Sequence, residues 1–195
     1  MLENLIEWDK KFLIWLNSHH ADWLDPVMYL ITHTAFWIPL YGFLIFLVFK
    51  TYKKEGWIIL IGAALTVLLC DQITSSFMKP FFERLRPSHD PSLAGLLHHV
   101  NEYRGGRFGF SSGHAANTFG VSLFVWLILH SHIRWIGAIF IWATIMTYTR
   151  IYLGVHFPGD ILVGGLIGLS CGWLSYKATQ ALLKWYRNKK GLPQT

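Results

Sequence analysis

Charge is scarce in this 195-residue chain: 14% of residues are Asp, Glu, Lys or Arg, against 53% hydrophobic. Soluble domains usually carry about 25% charged residues, so the deficit points to lipid as the main solvent. Cysteine is nearly absent. Cys70 and Cys171 both lie inside apolar runs, and neither has a neighbour at metal-ligand spacing. This excludes a disulfide framework or a cysteine zinc site, and both read as small packing residues. The start has no small-residue cleavage site, and acids precede its first apolar run, so it does not read as a secretory signal peptide. No 20–50-residue repeat is evident. Acids are few as well: 17 Lys and Arg stand against 11 Asp and Glu, a formal charge of +6. That balance suits nucleic acid, a membrane surface or an anionic substrate. Nucleic acid is disfavoured because the basic residues are dispersed and form no continuous face.

What the chain has is apolar length. A spanning helix needs roughly 20 mostly apolar residues, and five segments qualify: 27–49, with Pro39 expected to bend it, 56–78, 114–132, 134–152 and 158–182. The ten Trp, many near segment ends, fit interfacial anchoring. Residues 1–24 carry Leu2, Leu5, Ile6, Trp8, Phe12, Leu13, Trp15 and Leu16 in an amphipathic pattern. They read as a helix lying in the membrane interface or packed on the bundle. The fold class expected is therefore all-α. It is a polytopic transmembrane helix bundle of about five spans plus an N-terminal amphipathic helix, forming one domain over 1–195. Within it, 25–183 is the bundle and 184–195 a basic tail. Gly164, Gly168 and Gly172 recur at four-residue intervals, as in a flat face for close helix approach. Asp71, inside the second span, reads as a hydrogen-bonding residue between helices.

Lys53, Lys54, Arg134, Lys184, Arg187, Lys189 and Lys190 fall on one side if there are five spans. The positive-inside rule makes that side cytoplasmic. The expected location is the inner (plasma) membrane, with the long 79–113 loop and the 150–160 turn facing the periplasm or exterior.

Three segments border spans on that outer face. Lys79 to Pro87 follows the second span, Ser111-Ser112-Gly113-His114 opens the third, and Thr149 to Asp160 joins the fourth and fifth. Lys79, Arg86 and Arg150 supply cations, and arginine adds a fork matched to phosphate oxygens. Ser112 and Gly113 precede a helix, where free N–H groups and the helix dipole favour an anion. His156 and Asp160 stand one helical turn apart, so Asp160 can hold one imidazole N–H and leave the other nitrogen free to attack or to ligate. His114 can protonate a leaving group. Each piece alone is weak: a lysine at a span end snorkels to the interface, and His-x3-Asp could be half a metal site. Three fixed cations would repel a divalent ion, which favours phosphate.

Together, K-x6-R-P, S-G-H and R-x5-H-x3-D, in this order, resemble the type 2 phosphatidic acid phosphatase family. That family is grouped with vanadium haloperoxidases and acid phosphatases. The resemblance spans about residues 25–180. It implies that His156 is transiently phosphorylated, Asp160 orients it, and His114 protonates the leaving oxygen. It also implies that Lys79, Arg86, Ser112, Gly113 and Arg150 bind the phosphate without metal or cofactor. Ser111 stands where the family usually has Pro, and Thr149 where it usually has Ser. The expected activity is hydrolysis of a lipid phosphate monoester or diphosphate, such as undecaprenyl diphosphate or phosphatidylglycerophosphate. The expected partners are a phosphorylated lipid and membrane lipids, with no nucleic acid. A lipid phosphotransferase, or a transporter or flippase that binds phosphorylated lipids, are the alternatives.

Overall fold

A computed structural model describes residues 1–193; Gln194 and Thr195, the end of the expected tail, lie outside the described residues. Among the described residues there is no β-strand, only a single antiparallel bridge between Leu85 and Phe108. The helices are α1 (Leu2–Asn17), α2 (Asp25–Ile31), α3 (Ile38–Tyr52), α4 (Gly56–Asp71), α5 (Lys79–Phe82), α6 (Gly113–Leu129), α7 (Ile139–Tyr152) and α8 (Pro158–Lys190). Two apolar helical stretches, Thr34–Phe82, broken by the 3₁₀ turn at Lys53–Glu55, and Pro158–Lys190, have the length and composition to cross a membrane. Large apolar side chains such as Ile61, Leu68, Ile141 and Leu162 face outward from the bundle. In water such a surface would be costly; in lipid it is the ordinary exterior.

The first expected span is not one helix. Residues 27–49 divide into α2, a 3₁₀ turn at Thr34–Trp37 and α3, with His33 in an extended conformation between them. Pro39 therefore starts α3 rather than bending a longer helix, as suits a residue without an N–H to donate. The second span runs on past Asp71 as a π-helix, Gln72–Met78, before α5. The fourth begins with a 3₁₀ turn, Arg134–Ala138. The fifth extends beyond 182, and the segment expected to be a tail from Lys184 is helical to Lys190. There Arg187 pairs with Glu55, in the turn between α3 and α4.

Helix α6 sits at the centre, packed on α8, α4 and α7. The glycine stripe of α8 makes its closest approach: a Cβ on Gly164, Gly168 or Gly172 would collide with the backbone of Ser112, Ala116 or Gly120 on α6. Close packing of backbones is what small residues at this spacing provide where no hydrophobic driving force exists between helices. Phe124, Ile128, Leu129, Ile59, Leu183 and Met146, from α4, α6, α7 and α8, are in the main apolar core. Cys70 and Cys171 are buried and free, and Asp71 accepts a hydrogen bond from Asn117 of α6 at 2.8 Å, as expected of an inter-helix contact.

Helix α1 packs on the rest of the protein through one face. Leu13 and Asn17 are buried, while Leu5, Trp8, Phe12 and Trp15 stay exposed. Of the two sequence expectations for this helix, packing on the bundle is the one seen, through the face that carries Leu13 and Asn17. Asn17 ties its end to α7, donating to the carbonyl of Tyr152 at 2.7 Å and accepting from His98 N–H at 2.7 Å.

Candidate active site

The close turn after α7 brings Arg150 and His156 together. The carbonyl of Arg150 accepts the N–H groups of Val155 at 3.0 Å and His156 at 3.2 Å. Gly154 makes this reversal possible at φ +66°, where a side chain would be strained and would also strike His99. Pro158 then starts α8, and Asp160, in its first turn, accepts the N–H of Phe157 at 3.1 Å.

His156 Nδ1 lies 3.3 Å from Asp160 Oδ2, and both side chains are buried. An ionised carboxylate can only accept, so Nδ1 carries the proton. On the other side, Arg86 Nη1 lies 3.0 Å from His156 Nε2. Guanidinium can only donate, so Nε2 is the nitrogen with the lone pair. Burial, followed by the charges of Arg86, Arg150, Lys79 and Arg84, holds His156 well below its ordinary pKa. The imidazole is therefore neutral at pH 7, with a free nitrogen in a field of positive charge.

The cations are held by neutral groups. Arg86, in the loop, donates to the carbonyls of Phe108 at 3.2 Å and Val155 at 3.3 Å. Burial and the charge of Arg150 lower its pKa to about 10, so it stays charged near neutrality. Arg150 donates to Thr32 at 2.8 Å and Tyr103 at 3.2 Å, and its Nε is buried with no partner. Lys79 follows the π-helix, whose wide turn brings the lysine against α6. A Cβ on Gly113 would lie 3.3 Å from Thr74 Oγ1 and 3.8 Å from Lys79 Nζ. Among the described residues, none of Lys79, Arg86 and Arg150 forms an ion pair with a carboxylate.

Ser112 caps α6, its hydroxyl accepting from Ala115 N–H, while its own N–H donates to the Asp160 carbonyl at 3.0 Å. The N–H groups of Gly113 and His114 stand in the first helical turn, where no intrahelical carbonyl is available to them. His114 is half-buried. It lines a cavity of about 440 Å³ that follows α6 away from the site, walled by Tyr41, Ala63, Asn117, Val121 and Met146 among others.

The structure therefore gathers all eight expected residues at one end of the bundle. It also adds three that the sequence reading left out. Arg84 was passed over as spacer in K-x6-R-P, yet its Nη1 lies 2.7 Å from Asp160 Oδ1. Thr32 and Tyr103 seat Arg150. A basic residue two before a motif arginine was the one available hint; Thr32 lies in the first apolar run and Tyr103 in the long 79–113 loop, outside all three motif segments. Among the described residues, no three His, Cys, Asp or Glu side chains converge as a metal site would require.

The sequence profile of the PAP2 superfamily matches residues 55–184. The chain is 38% identical to the lipid A 4'-phosphatase of Bacteroides thetaiotaomicron, over 90% of this chain and 79% of that protein. It is 39% identical to the lipid A 4'-phosphatase of Porphyromonas gingivalis, over 90% of this chain and 75% of that protein. Its fold resembles the crystal structure of a transmembrane PAP2-type phosphatidylglycerolphosphate phosphatase from Bacillus subtilis. The TM-score is 0.67 at 25% identity, covering 91% of this chain and 87% of that one.

Proposed function

Since the chain belongs to the PAP2 superfamily and is a membrane lipid phosphatase, we propose that it moves a lipid phosphate first to His156 and then to water. The observation that carries this reading is a neutral imidazole, its unprotonated Nε2 held by Arg86, beside buried arginines that have no carboxylate partner. A binding protein would need the cations but not the His156–Asp160 pair.

In the proposed sequence, the phosphate dianion enters among Lys79, Arg86 and Arg150 and displaces Arg86 from Nε2. The N–H groups at the start of α6 supply further donors, with Ser112 and Gly113 shaping the close approach. Nε2 forms a bond to phosphorus, and the bond from phosphorus to the leaving oxygen breaks. His114, which takes up a proton from water once the phosphate dianion offsets the cations around it, gives that proton to the leaving oxygen and becomes neutral. The cation on His156 is balanced through Nδ1–H by Asp160. Neutral His114 then takes a proton from water, the water oxygen bonds to phosphorus, and the P–N bond breaks. The arginines stabilise charge on the three transferring oxygens in both halves, which is the larger part of phosphoryl-transfer catalysis. The residues supply this charge themselves, and no step requires a metal.

The proposed substrate is a phosphate monoester on a glycolipid of the lipid A type. Its support is the identity to two lipid A 4'-phosphatases over nine-tenths of the chain. A sugar hydroxyl is a poor leaving group, which suits an acid at His114. The His114 cavity, apolar for most of its length, suits a substrate with hydrocarbon. We place the site on the periplasmic face, from the Lys/Arg bias of the opposite end.

Purified protein offered lipid A, undecaprenyl diphosphate and phosphatidylglycerophosphate should release phosphate fastest from lipid A, with activity intact in EDTA. Acid-sensitive phosphate trapped on His156 should appear within one turnover. Loss of activity in EDTA with recovery on a divalent metal would overturn the mechanism. Preference for the diphosphate would overturn the substrate alone.

A further inference from the structure

We propose that Asp9, on the amphipathic helix α1, is a positioning residue for the reaction: it anchors Arg84 and the start of α8, and thereby fixes Asp160 and the orientation of His156. The inference rests on the roles given above to His156 and Asp160.

Arg84 lies between two carboxylates, Nη1 at 2.7 Å from Asp160 Oδ1 and Nη2 at 2.7 Å from Asp9 Oδ2. Its guanidinium carbon stands 4.0 Å from the centre of the Phe157 ring. The other oxygen of Asp9 accepts the N–H of Gly159 at 2.8 Å. Gly159 is held to glycine by this contact, since a Cβ there would lie 2.8 Å from Asp9 Oδ2. Asp9 thus grips the segment carrying His156 and Asp160 at two points, once through a side chain and once through the backbone.

The consequence falls on Asp160. Its Oδ2 serves His156 Nδ1 and the Phe157 N–H, and its Oδ1 is held by Arg84. With both oxygens occupied, the carboxylate cannot turn about its axis, and the imidazole it holds points Nε2 toward the phosphate site. Remove Asp9 and one arm of Arg84 loses its seat. The guanidinium then pairs with Asp160 alone and neutralises it more fully, so Asp160 is both less constrained and less able to balance charge on His156. Neither Asp9 nor Arg84 is needed to hold substrate in this scheme, so the loss appears in kcat.

Docking of α1 has anchors besides Asp9. Lys10 donates to Ser92 Oγ at 2.6 Å and pairs with Asp90 at 2.9 Å, and Asn17 fastens the far end to α7. Asp9 is therefore the α1 residue whose loss reaches the dyad while the helix stays attached.

The test uses the full-length protein in detergent micelles, with p-nitrophenyl phosphate and dispersed phosphatidic acid as substrates. Asp9→Asn should lower kcat about 10–100-fold on both, the range typical of groups that orient a ligand or base, with KM and melting temperature little changed. Asp9→Glu should restore part of the loss, and Lys10→Ala should keep full kcat. In an Arg84→Gln background, Asp9→Asn should cost little more, because both act through one chain of contacts. The proposal is overturned if Asp9→Asn keeps wild-type kcat, if it changes only KM or melting temperature, or if Lys10→Ala loses as much. Should Arg84→Gln fail to fold, the Asp9→Asn, Asp9→Glu and Lys10→Ala set decides alone. If His156→Ala retains turnover, the catalytic reading itself fails. If His156→Ala is dead while Asp9→Asn is unimpaired, only this inference fails.

Discussion

Arg187, near the end of α8, donates to both oxygens of Glu55 at 2.8 and 2.6 Å. At the opposite end of the bundle, Arg86 and Arg150 are buried to a similar or greater degree, yet they rest on carbonyls and hydroxyls. A buried charge without a counterion is expensive unless something else neutralises it. At the Glu55 end the protein supplies the counterion and the arginine is part of the structure. At the other end the counterion is left out, and a phosphate from outside can complete the set. The same residue type thus has opposite meanings at two ends of one helix bundle, and the presence of a carboxylate tells them apart.

The largest effect that could break this comparison is at the nucleophile. His156→Ala should lower turnover on the order of 10⁴-fold or more with every substrate, because no other group in the site can form the bond to phosphorus. Rapid-quench trapping should find no phosphoenzyme in this variant; phosphoenzyme in its presence would mean that the unpaired arginines serve another residue.

His114→Ala should cost about 10²–10⁴-fold with a lipid alcohol leaving group. With p-nitrophenyl phosphate, whose leaving group needs little protonation, much of the loss should vanish. Equal losses on both substrates would remove His114 from the acid role.

Arg150→Gln should lower kcat/KM by about 10²–10³-fold, the usual cost of one preorganised donor to a developing anion. Because the variant removes an unpaired buried charge, its melting temperature should hold or rise. A large fall in melting temperature with activity retained would make Arg150 a structural residue like Arg187.

The pH dependence should be smaller. His156 has a folded pKa well below its ordinary value of 6.5. Below pH 6.5 the unfolded chain then takes up a proton there that the folded chain refuses, so stability is full above that pH and declines as pH falls further. Thermal unfolding measured from pH 7.5 to 5 should show this decline, and His156→Gln should make it shallower. Smallest of all, Glu55→Gln should lower the melting temperature modestly and leave kcat/KM unchanged on both substrates, since its partner lies at the far end of α8.

The sites differ in how they could be read from sequence. His156 and Asp160 were legible because only four residues separate them, close enough for the carboxylate to reach back from the first turn of α8 to the imidazole. Ser112 and Gly113 were legible as a helix start, and the glycine stripe of α8 as a packing face. The first span was misread because hydropathy averages over a segment. It counts apolar residues and does not register that His33 takes an extended conformation and that Pro39 begins a new helix. Asp9 was invisible for another reason. An acid on an amphipathic helix reads as a solvated face, and its partner Arg84 is 75 residues away.

By itself the sequence determined the lipid environment, the helical class and the family of lipid phosphatases to which the chain belongs. Apolar runs of spanning length admit few structures in lipid, and within a motif the residues lie close enough along the chain for local geometry to pair them, as it does His156 and Asp160. Tertiary structure decided which charges are satisfied and which are left open. That depends on contacts such as Asp9 with Arg84, Thr32 with Arg150 and Glu55 with Arg187, each spanning a large part of the chain. No period or motif encodes such pairs, because they arise only when helices distant in sequence pack side by side and exclude the water that would otherwise have solvated each charge.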